Sequence, residues 1–368
     1  MDSRVALIIL NYNGLKNLGD ILVQSIESAL RIDYKDLDVI VVDNGSTDNS
    51  VEEIEDRFGS DVTLIKLEKN YGYAGGNEIG LRRYLNYKGV PKYVVIMNND
   101  FIVKNEQFLR SIVKYLDARK DIAIAQGITL DADGKRIESA GVFQDVMLQQ
   151  MERCSGLKPS ECPEKLSYAT FALGALMVVK IKPVLEIRGC LFKREHFILW
   201  EETELALNMW SHGFKTIAVP EISGIHMASA TMKKVMPLAW YAGKRNKYLV
   251  YRKTLSPYLR SRYLYLPIAF EIANFYLRIF QGDRGRIASR GVVDGIMARE
   301  LTRVKRGTYE PLLLAPKVWQ AIHNLTLSAS LSASKNLAKK YGYLSRLVTL
   351  TVDDEKLKSS PTPFLVKV

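Results

Sequence analysis

Cysteine is scarce in this chain: Cys154, Cys162 and Cys190 are the only three in 368 residues. An odd trio without Cys-x-x-Cys spacing speaks against a disulfide framework or a structural zinc site, so reduced thiols are expected. Histidine numbers four, which leaves few imidazoles for any site. A secretory leader is not expected either, because Met1-Asp2-Ser3-Arg4 runs directly into the apolar stretch Val5–Leu10, too short and too soon interrupted for one. There is no repeat, no low-complexity tract and no recognised nucleic-acid-binding module. The most apolar stretch, Tyr263–Phe280, carries Glu271 near its middle, and a carboxylate at a bilayer centre costs several kcal/mol. That stretch reads as a buried or interfacial helix, and the expected location is the cytoplasm.

What is present points to a folded protein with an anionic partner. Apolar residues make up 47% of the chain, too many for a disordered polymer. The net charge of +12 and pI near 9.4 suit a nucleotide, nucleic acid or acidic lipid surface. The length predicts one α/β domain of ~200 to 250 residues plus a smaller region. Apolar runs at Val5–Leu10, Leu37–Val42, Val62–Leu67 and Tyr93–Met97 alternate with helical spacing at Leu18–Leu30, Asn49–Phe58, Gly76–Leu85 and Gln107–Ala118. Such alternation predicts a parallel, doubly wound sheet. Residues 131–165 read as a mobile excursion over the site, and order resumes with Thr170–Val179, Phe192–Leu199 and Thr216–Val219. From about Met232 the composition turns to Lys, Arg and Tyr. This divides the chain into a catalytic domain (1–231), a basic region around an apolar helix (232–310), and a helical extension with a frayed polar tail (311–368).

Polar residues cluster just past the apolar runs, where ligands bind in open α/β sheets. Asn98-Asn99-Asp100 follows Tyr93–Met97, and Asp43-Asn44-Gly45-Ser46-Thr47-Asp48 follows Val39–Val42. Asn98 and Asp100 stand two apart and point the same way if the backbone between them is extended, a pattern that suits Mg²⁺ or Mn²⁺ on a diphosphate. Asp48 reads as a helix N-cap, and Asp43 as either a turn residue or a carboxylate for a base or ribose. The glycines of Asn70-Tyr71-Gly72-Tyr73-Ala74-Gly75-Gly76-Asn77 let backbone approach a ligand before a helix begins. Glu201, Glu202 and Glu204 fall at a helix start, where acids suit the macrodipole, and one brought inward would have a raised pKa fit for a general base. Thr203 is expected to face away or cap. His226 follows the last strand and is a candidate nitrogen ligand. Arg245 interrupts an apolar helical stripe either as a snorkelling side chain or as a phosphate clamp.

In order, Asn11-Tyr12-Asn13-Gly14, Val41–Asp48, Asn70–Asn77, Asn98-Asn99-Asp100, Gly174-Ala175, Glu201–Leu205, His226 and Arg245-Asn246 resemble a family 2 glycosyltransferase, nearest its rhamnosyltransferase-like branch, over roughly residues 4–250. The resemblance implies a GT-A fold: a Rossmann-like mixed sheet flanked by helices, here with a mainly helical basic C-terminal region. It further implies a UDP-, dTDP- or GDP-sugar donor, Mn²⁺ or Mg²⁺, and inversion at the anomeric carbon. Asp100 and His226 would be the metal ligands. Asn11, Asn13, Asp43, Ser46, Gly75, Gly76, Asn77, Asn98, Asn99, Gly174 and Arg245 would bind the nucleotide-sugar. Glu202 stands at the position of the catalytic base, usually an Asp after a Glu, with Glu201 as its substitute. Asn98 replaces the first acid of the Asp-x-Asp pattern and removes a charge from the metal site.

The basic residues from Lys233 to Arg262, with Arg284, Arg286 and Arg290, fit an anionic membrane surface or a dimer contact. On the family reading the enzyme works at the inner face of the cell membrane on a glycan or lipid-linked acceptor. Two rivals remain. A sugar-phosphate nucleotidyltransferase would want a basic glycine-rich loop after the first strand, which Asn11–Gly14 is not. A retired nucleotide-sugar-binding scaffold predicts binding without turnover.

Overall fold

The computed structural model describes residues 3–146, 148–227, 236–263, 271, 281–298, 307–315, 350, 352 and 365–367. The first half runs β1 (Val5–Asn11), α1 (Gly14–Leu18), α2 (Asp20–Leu30), β2 (Leu37–Asp43), α3 (Ser50–Phe58), β3 (Thr63–Lys66), α4 (Gly72–Lys88) and β4 (Tyr93–Asn98). Then come β5 (Phe101–Val103), α5 (Phe108–Ala118), β6 (Ile122–Leu130), β7 (Ile137–Ser139), β8 (Val142–Gln144), β9 (Gln150–Glu152), β10 (Ser167–Ala169), β11 (Leu176–Lys180), α6 (Ile181–Arg188), α7 (Glu201–Ser211) and β12 (Lys215–His226). The C-terminal region contributes α8 (Met236–Thr254), α9 (Pro257–Tyr263), α10 (Gly282–Met297), β13 (Leu313–Ala315) and β14 (Leu365–Lys367).

One large sheet has the order β10-β12-β6-β11-β4-β1-β2-β3, with β5 on β12 and β7 on β6. β1 pairs in parallel with both β2 and β4, in a register that sets Asn11 opposite Asp43 and Leu10 opposite Asn98. Strands covered on both faces read as continuous apolar runs. Alternate residues therefore feed two cores. Leu7, Ile9, Val39, Val41 and Val95 pack with Leu22 and Ile26 of α2 and Phe108 and Ile112 of α5. Ala6, Ile8, Ile40, Val42 and Ile96 pack with Leu81 of α4, Val184 of α6 and Leu205 of α7. β11 runs antiparallel to β4 and β6, so the sheet is mixed.

Four readings need correction. α4 begins at Gly72 and places Gly75, Gly76 and Asn77 inside the helix. A Cβ at Gly76 would collide with Leu10 and crowd Asn44, so that glycine serves helix-on-sheet packing. Residues 131–165 are a built region: β7 extends the sheet, β8 pairs with β9, and Asp145 and Arg153 are buried. Cys154 and Cys162 form a disulfide, Cα atoms 5.7 Å apart. A turn that returns Gly156 N–H to Ile137 O and Cys162 N–H to Pro159 O brings them together, a local closure that spacing alone does not reveal. Only Cys190 is a free thiol. Phe192–Leu199 is no regular element beyond a 3-10 turn at Arg194–His196.

The basic region folds against the sheet domain. α10 crosses α8 closely, since a Cβ at Gly291 or Gly295 would collide with the carbonyls of Tyr241 and Arg245. Many of its cations have internal partners: Arg252 donates to the carbonyls of Gly295, Ile296 and Ala298, Lys253 pairs with Glu195, and Lys244 with Glu271 at 3.2 Å. Among the described residues no helix is long and apolar enough to cross a membrane. Most of Tyr263–Phe280 lies outside the described residues, as do Asp353 to Pro363 and most of the expected helical extension. β13 and β14 pair in parallel there, where a helix was expected.

Candidate active site

Turns at the carboxyl ends of β1, β2 and β4 form one hydrogen-bonded ridge. Asn13 adopts the left-handed conformation, φ 51° and ψ 39°, which Asn tolerates better than most residues. That turn lets its backbone N–H reach Ser46 Oγ at 2.8 Å and its side-chain oxygen accept Thr47 N–H at 2.7 Å. Asp43, 2% exposed, accepts Asn11 Nδ2 at 3.0 Å, Ser46 N–H at 2.9 Å and the Ser46 hydroxyl. Asn11 Oδ1 in turn accepts Asn99 Nδ2 at 3.2 Å. Asp48, expected as the N-cap, stands one residue before it, since Asn49 caps α3; its carboxylate accepts Ser50 N–H at the start of that helix and Lys16 N–H from α1. The remaining loop is tied in by Asn44, which donates to Asn70 Oδ1 and Gly72 O and accepts Tyr71 N–H. Asn77 is fully buried in α4 and donates to Tyr73 O, so it faces away from any ligand.

A second cluster forms where β12 ends on β5. Their antiparallel register sets His226 opposite Phe101, and Met227 N–H bonds to Asp100 O. His226 Nε2 lies 3.2 Å from Asp100 Oδ1 and 3.3 Å from Asn98 Nδ2. Asn98 and Asp100 thus converge through a turn, without the extended residue between them that the spacing suggested. Glu138, from β7, stands 2.9 Å from His226 Nδ1 through both its oxygens. Burial pulls the imidazole pKa down, but hydrogen bonds and charge from Asp100 and Glu138 outweigh it and lift it to about 10.

Among the described residues no group of three or more His, Cys, Asp and Glu is arranged to hold a metal ion, so a divalent cation here would rest on Asp100 and His226 alone. A carboxylate on Nδ1 is the usual outer partner of a ligating His; it fixes the proton on that nitrogen and leaves Nε2 for the metal. In the structure Nε2 and Asp100 Oδ1 stand 3.2 Å apart as an ion pair, so a cation would take the place of the proton between them. Mixed nitrogen and oxygen donors favour Mn²⁺ somewhat over Mg²⁺.

The third element is the start of α7. Phe197, Leu199 and Trp200 all have positive φ, 61°, 69° and 78°, a conformation costly for bulky residues, about 1–3 kcal/mol each. The buried Asn246 of α8 holds this stretch, its amide donating to the carbonyls of His196, Ile198 and Leu199 at 2.8, 3.0 and 2.9 Å. Arg245 donates to Glu195 O at 2.9 Å and to Asn246 Oδ1 at 3.0 Å. It braces the same stretch, and these contacts leave the phosphate-clamp reading without geometric support.

The three carboxylates that follow differ sharply. Glu204 is buried against Arg188, 2.8 Å away, with His196 at 3.6 Å. Burial would raise its pKa, but Arg188 first and then the hydrogen bond from His196 hold it at about 2. Glu201 is 2% exposed with Oε2 unpartnered, and burial, then the charge of Glu202, push it well above the usual range. Glu202 keeps some solvent access in an enclosed setting; desolvation raises it to about 7, with small opposing effects from its own N–H and His196. Thr203, expected to face outward, is 1% exposed.

Glu202 packs against Gly174, in the turn before β11, where a Cβ would collide with Glu202 Oε1. The glycine that was expected to admit sugar or acceptor thus admits this carboxylate. Tyr73, which the sequence reading did not single out, donates to Gly174 O at 3.0 Å. Its phenol pKa is pushed well up by burial and then by the charges of Glu202, Glu201 and Asp100. Glu138 was also missed, because the stretch that carries it read as a loop.

Comparisons agree with this architecture. Residues 6–165 match the family model described as Glycosyl transferase family 2. The chain is 25% identical over 167 residues to Glycosyltransferase GlyG of Streptococcus pneumoniae serotype 4, covering 45% of this chain and 54% of that protein. It is 30% identical over 93 residues to an uncharacterized glycosyltransferase of Haemophilus influenzae, covering 25% of this chain and 35% of that protein. The matches thus span about a third to a half of those relatives. Among solved structures, a mannosyltransferase, PcManGT of Pyrobaculum calidifontis in complex with GDP-Man and Mn²⁺, superposes with a TM-score of 0.51 at 16% identity, over 96% of this chain and 89% of that one. The chain has a GT-A fold, and its residues 6–165 carry the sequence pattern of glycosyl transferase family 2.

Proposed function

We infer that this protein is an inverting glycosyltransferase that moves a sugar from a nucleoside-diphosphate-sugar to a hydroxyl of a glycan or lipid-linked acceptor. The observation that carries the reading is that Glu202, with its pKa near 7, packs on Gly174, whose carbonyl accepts the Tyr73 hydroxyl, while Asp100, paired with His226, is near enough to act on the same phenol. A base and a diphosphate anchor are the two things that a single displacement at an anomeric carbon requires.

Each residue then has a physical task. Ser46, Asn13, Asn11 and Asn99 form a prearranged polar wall for the nucleoside, and Asp43 holds that wall in place. Asp100 and His226 would hold the cation, with Glu138 orienting the imidazole and Asn98 beside it; when bound, Mn²⁺ or Mg²⁺ supplies positive charge to the departing diphosphate. Glu202 accepts the proton of the acceptor hydroxyl. That oxygen forms a bond to the anomeric carbon as the carbon–oxygen bond to the diphosphate breaks on the opposite face, and nucleoside diphosphate leaves. A base with a pKa near the working pH combines adequate ionisation with proton affinity. Tyr73 and Gly174 fix where that carboxylate stands, and Asn246 and Arg245 secure the strained turn that delivers it.

The test is transfer from a broad panel of labelled UDP-, GDP- and dTDP-sugars with Mn²⁺ and a membrane extract, in wild type and Glu202→Gln. Transfer that vanishes in the variant while nucleotide binding persists upholds the reading. Undiminished transfer by the variant refutes the role of Glu202. Nucleotide binding without turnover from any donor refutes the enzyme.

A further inference from the structure

A cavity of about 590 Å³ beside α7 is left unused by the chemistry above. Trp200 and Gln150 line it on one side, Trp240, Lys244 and Lys247 of α8 and Arg284 of α10 on the other. It abuts the start of α7 at two points, on the face that carries Trp200 and Leu207 rather than the one that sets Glu202 on Gly174. Trp200 is the N-cap of α7, two residues before Glu202, and Gln150 donates to Thr203 Oγ1 at 3.5 Å.

The lining has a definite chemical character. Two indoles supply flat faces of the kind that pack against the apolar side of a sugar ring. The Arg284 guanidinium lies 5.3 Å from the centre of the Trp240 ring, so a cation is fixed on one aromatic wall. Lys244 and Lys247 add two more cations, Lys247 only 5% exposed and Lys244 paired with the buried Glu271. No carboxylate lines the cavity among the described residues. Ammonium and guanidinium groups beside aromatic walls favour an anion attached to a ring over a neutral sugar.

We propose that this cavity binds an anionic glycan, with a sugar ring against Trp200 and Trp240 and its phosphate or carboxylate on Arg284. A part for that glycan in the reaction rests on the transferase reading; the preference for an anionic sugar rests on the cavity alone. The site lies outside the ridge assigned to the donor, so the two can be probed separately.

The test titrates the full chain with glucose 1-phosphate, glucuronic acid and glucose by calorimetry, in wild type, Arg284→Ala, Arg284→Lys and Trp240→Leu, with circular dichroism to verify folding. Each protein is also titrated with UDP, GDP and dTDP in the presence of Mn²⁺. Charge-assisted contacts predict that an anionic sugar binds roughly tenfold tighter than glucose and loses about fivefold or more in Arg284→Ala, with part recovered in Arg284→Lys. Trp240→Leu weakens all three sugars. The phosphate and carboxylate arms tell which anion is preferred, and preference for either over glucose upholds the proposal. Glucose binding as tightly as its anionic relatives overturns it, as does sugar-phosphate binding that ignores Arg284 and is displaced by a nucleoside diphosphate. Failure of every nucleoside diphosphate to bind, with Arg284-dependent sugar binding intact, overturns the transferase reading and leaves the anionic site standing.

Discussion

The strand-end ridge and the start of α7 are both polar, yet they are built on opposite plans. On the ridge Asp43 has its oxygens engaged by Asn11 and Ser46, and each neighbour is held by the next. At α7 two carboxylates, Glu201 and Glu202, lie enclosed with no ion pair among the described residues, behind a turn with three strained residues. A satisfied network presents a fixed shape to a ligand. An enclosed carboxylate without a counter-charge has an unusual proton affinity, which a base needs. The same helix turn contains its own control, since Glu204 is equally buried but paired with Arg188 and acidic.

Breaking the reactive half should give the largest effect. Glu202→Gln is expected to lower transfer by roughly 10² to 10⁴, with nucleoside diphosphate affinity retained by calorimetry. In wild type kcat/KM should rise with pH through about 7, because only the ionised carboxyl accepts a proton; the variant's residual rate should lack that rise. A profile flat from pH 5 to pH 9 in wild type, a range set around Glu202's value of about 7, would exclude Glu202 as the base.

Glu204→Ala removes the paired member of the turn and strands a buried guanidinium. Denaturant unfolding should register a loss of about 3–5 kcal/mol. The contribution of Glu204 belongs to pH values above its unfolded pKa and is lost as pH falls through about 2. A loss below about 1 kcal/mol would mean that the pair is no better than an exposed one.

Glu138→Gln tests the link between the ridge and its cation. The amide is a poorer partner for His226 Nδ1–H than the carboxylate, and Mn²⁺ affinity should fall roughly tenfold to a hundredfold, read by calorimetry without any turnover. Unchanged affinity would remove Glu138 from the site.

The smallest effect is expected at Asn246, whose amide stands behind the turn without touching substrate. Asn246→Ala leaves carbonyls of the turn unpartnered, worth about 1–3 kcal/mol. Because it misplaces the base, kcat should fall more than KM for the donor rises. An equal change in both would mean that it merely destabilises the fold.

The strands were legible because their apolar runs are short, bounded by turn formers and buried on both faces. Val5–Leu10, Leu37–Val42 and Tyr93–Met97 all emerge as strands within a residue or two. Asp43, Asn98 and Asp100 were legible as a group for the same reason: parallel strands in register bring their carboxyl ends together. Residues 131–165 were not legible, since strands of three residues such as β7, β8 and β9 are too short for any periodicity. Glu138 was hidden with them.

Sequence order by itself determined the parallel core, the crevice at its strand ends and the three acids at one helix start, because hydrophobic period and turn chemistry are local properties. Only the tertiary structure decided how the three acids differ in proton affinity. Burial and charge pairing come from residues distant in the chain: Arg188 takes Glu204, while Gly174 and Tyr73 enclose Glu202. The same holds for His226, which Glu138 and Asp100 flank from two separate strand connections. Proton affinity depends on what surrounds a group in space, and that is set by the packed fold.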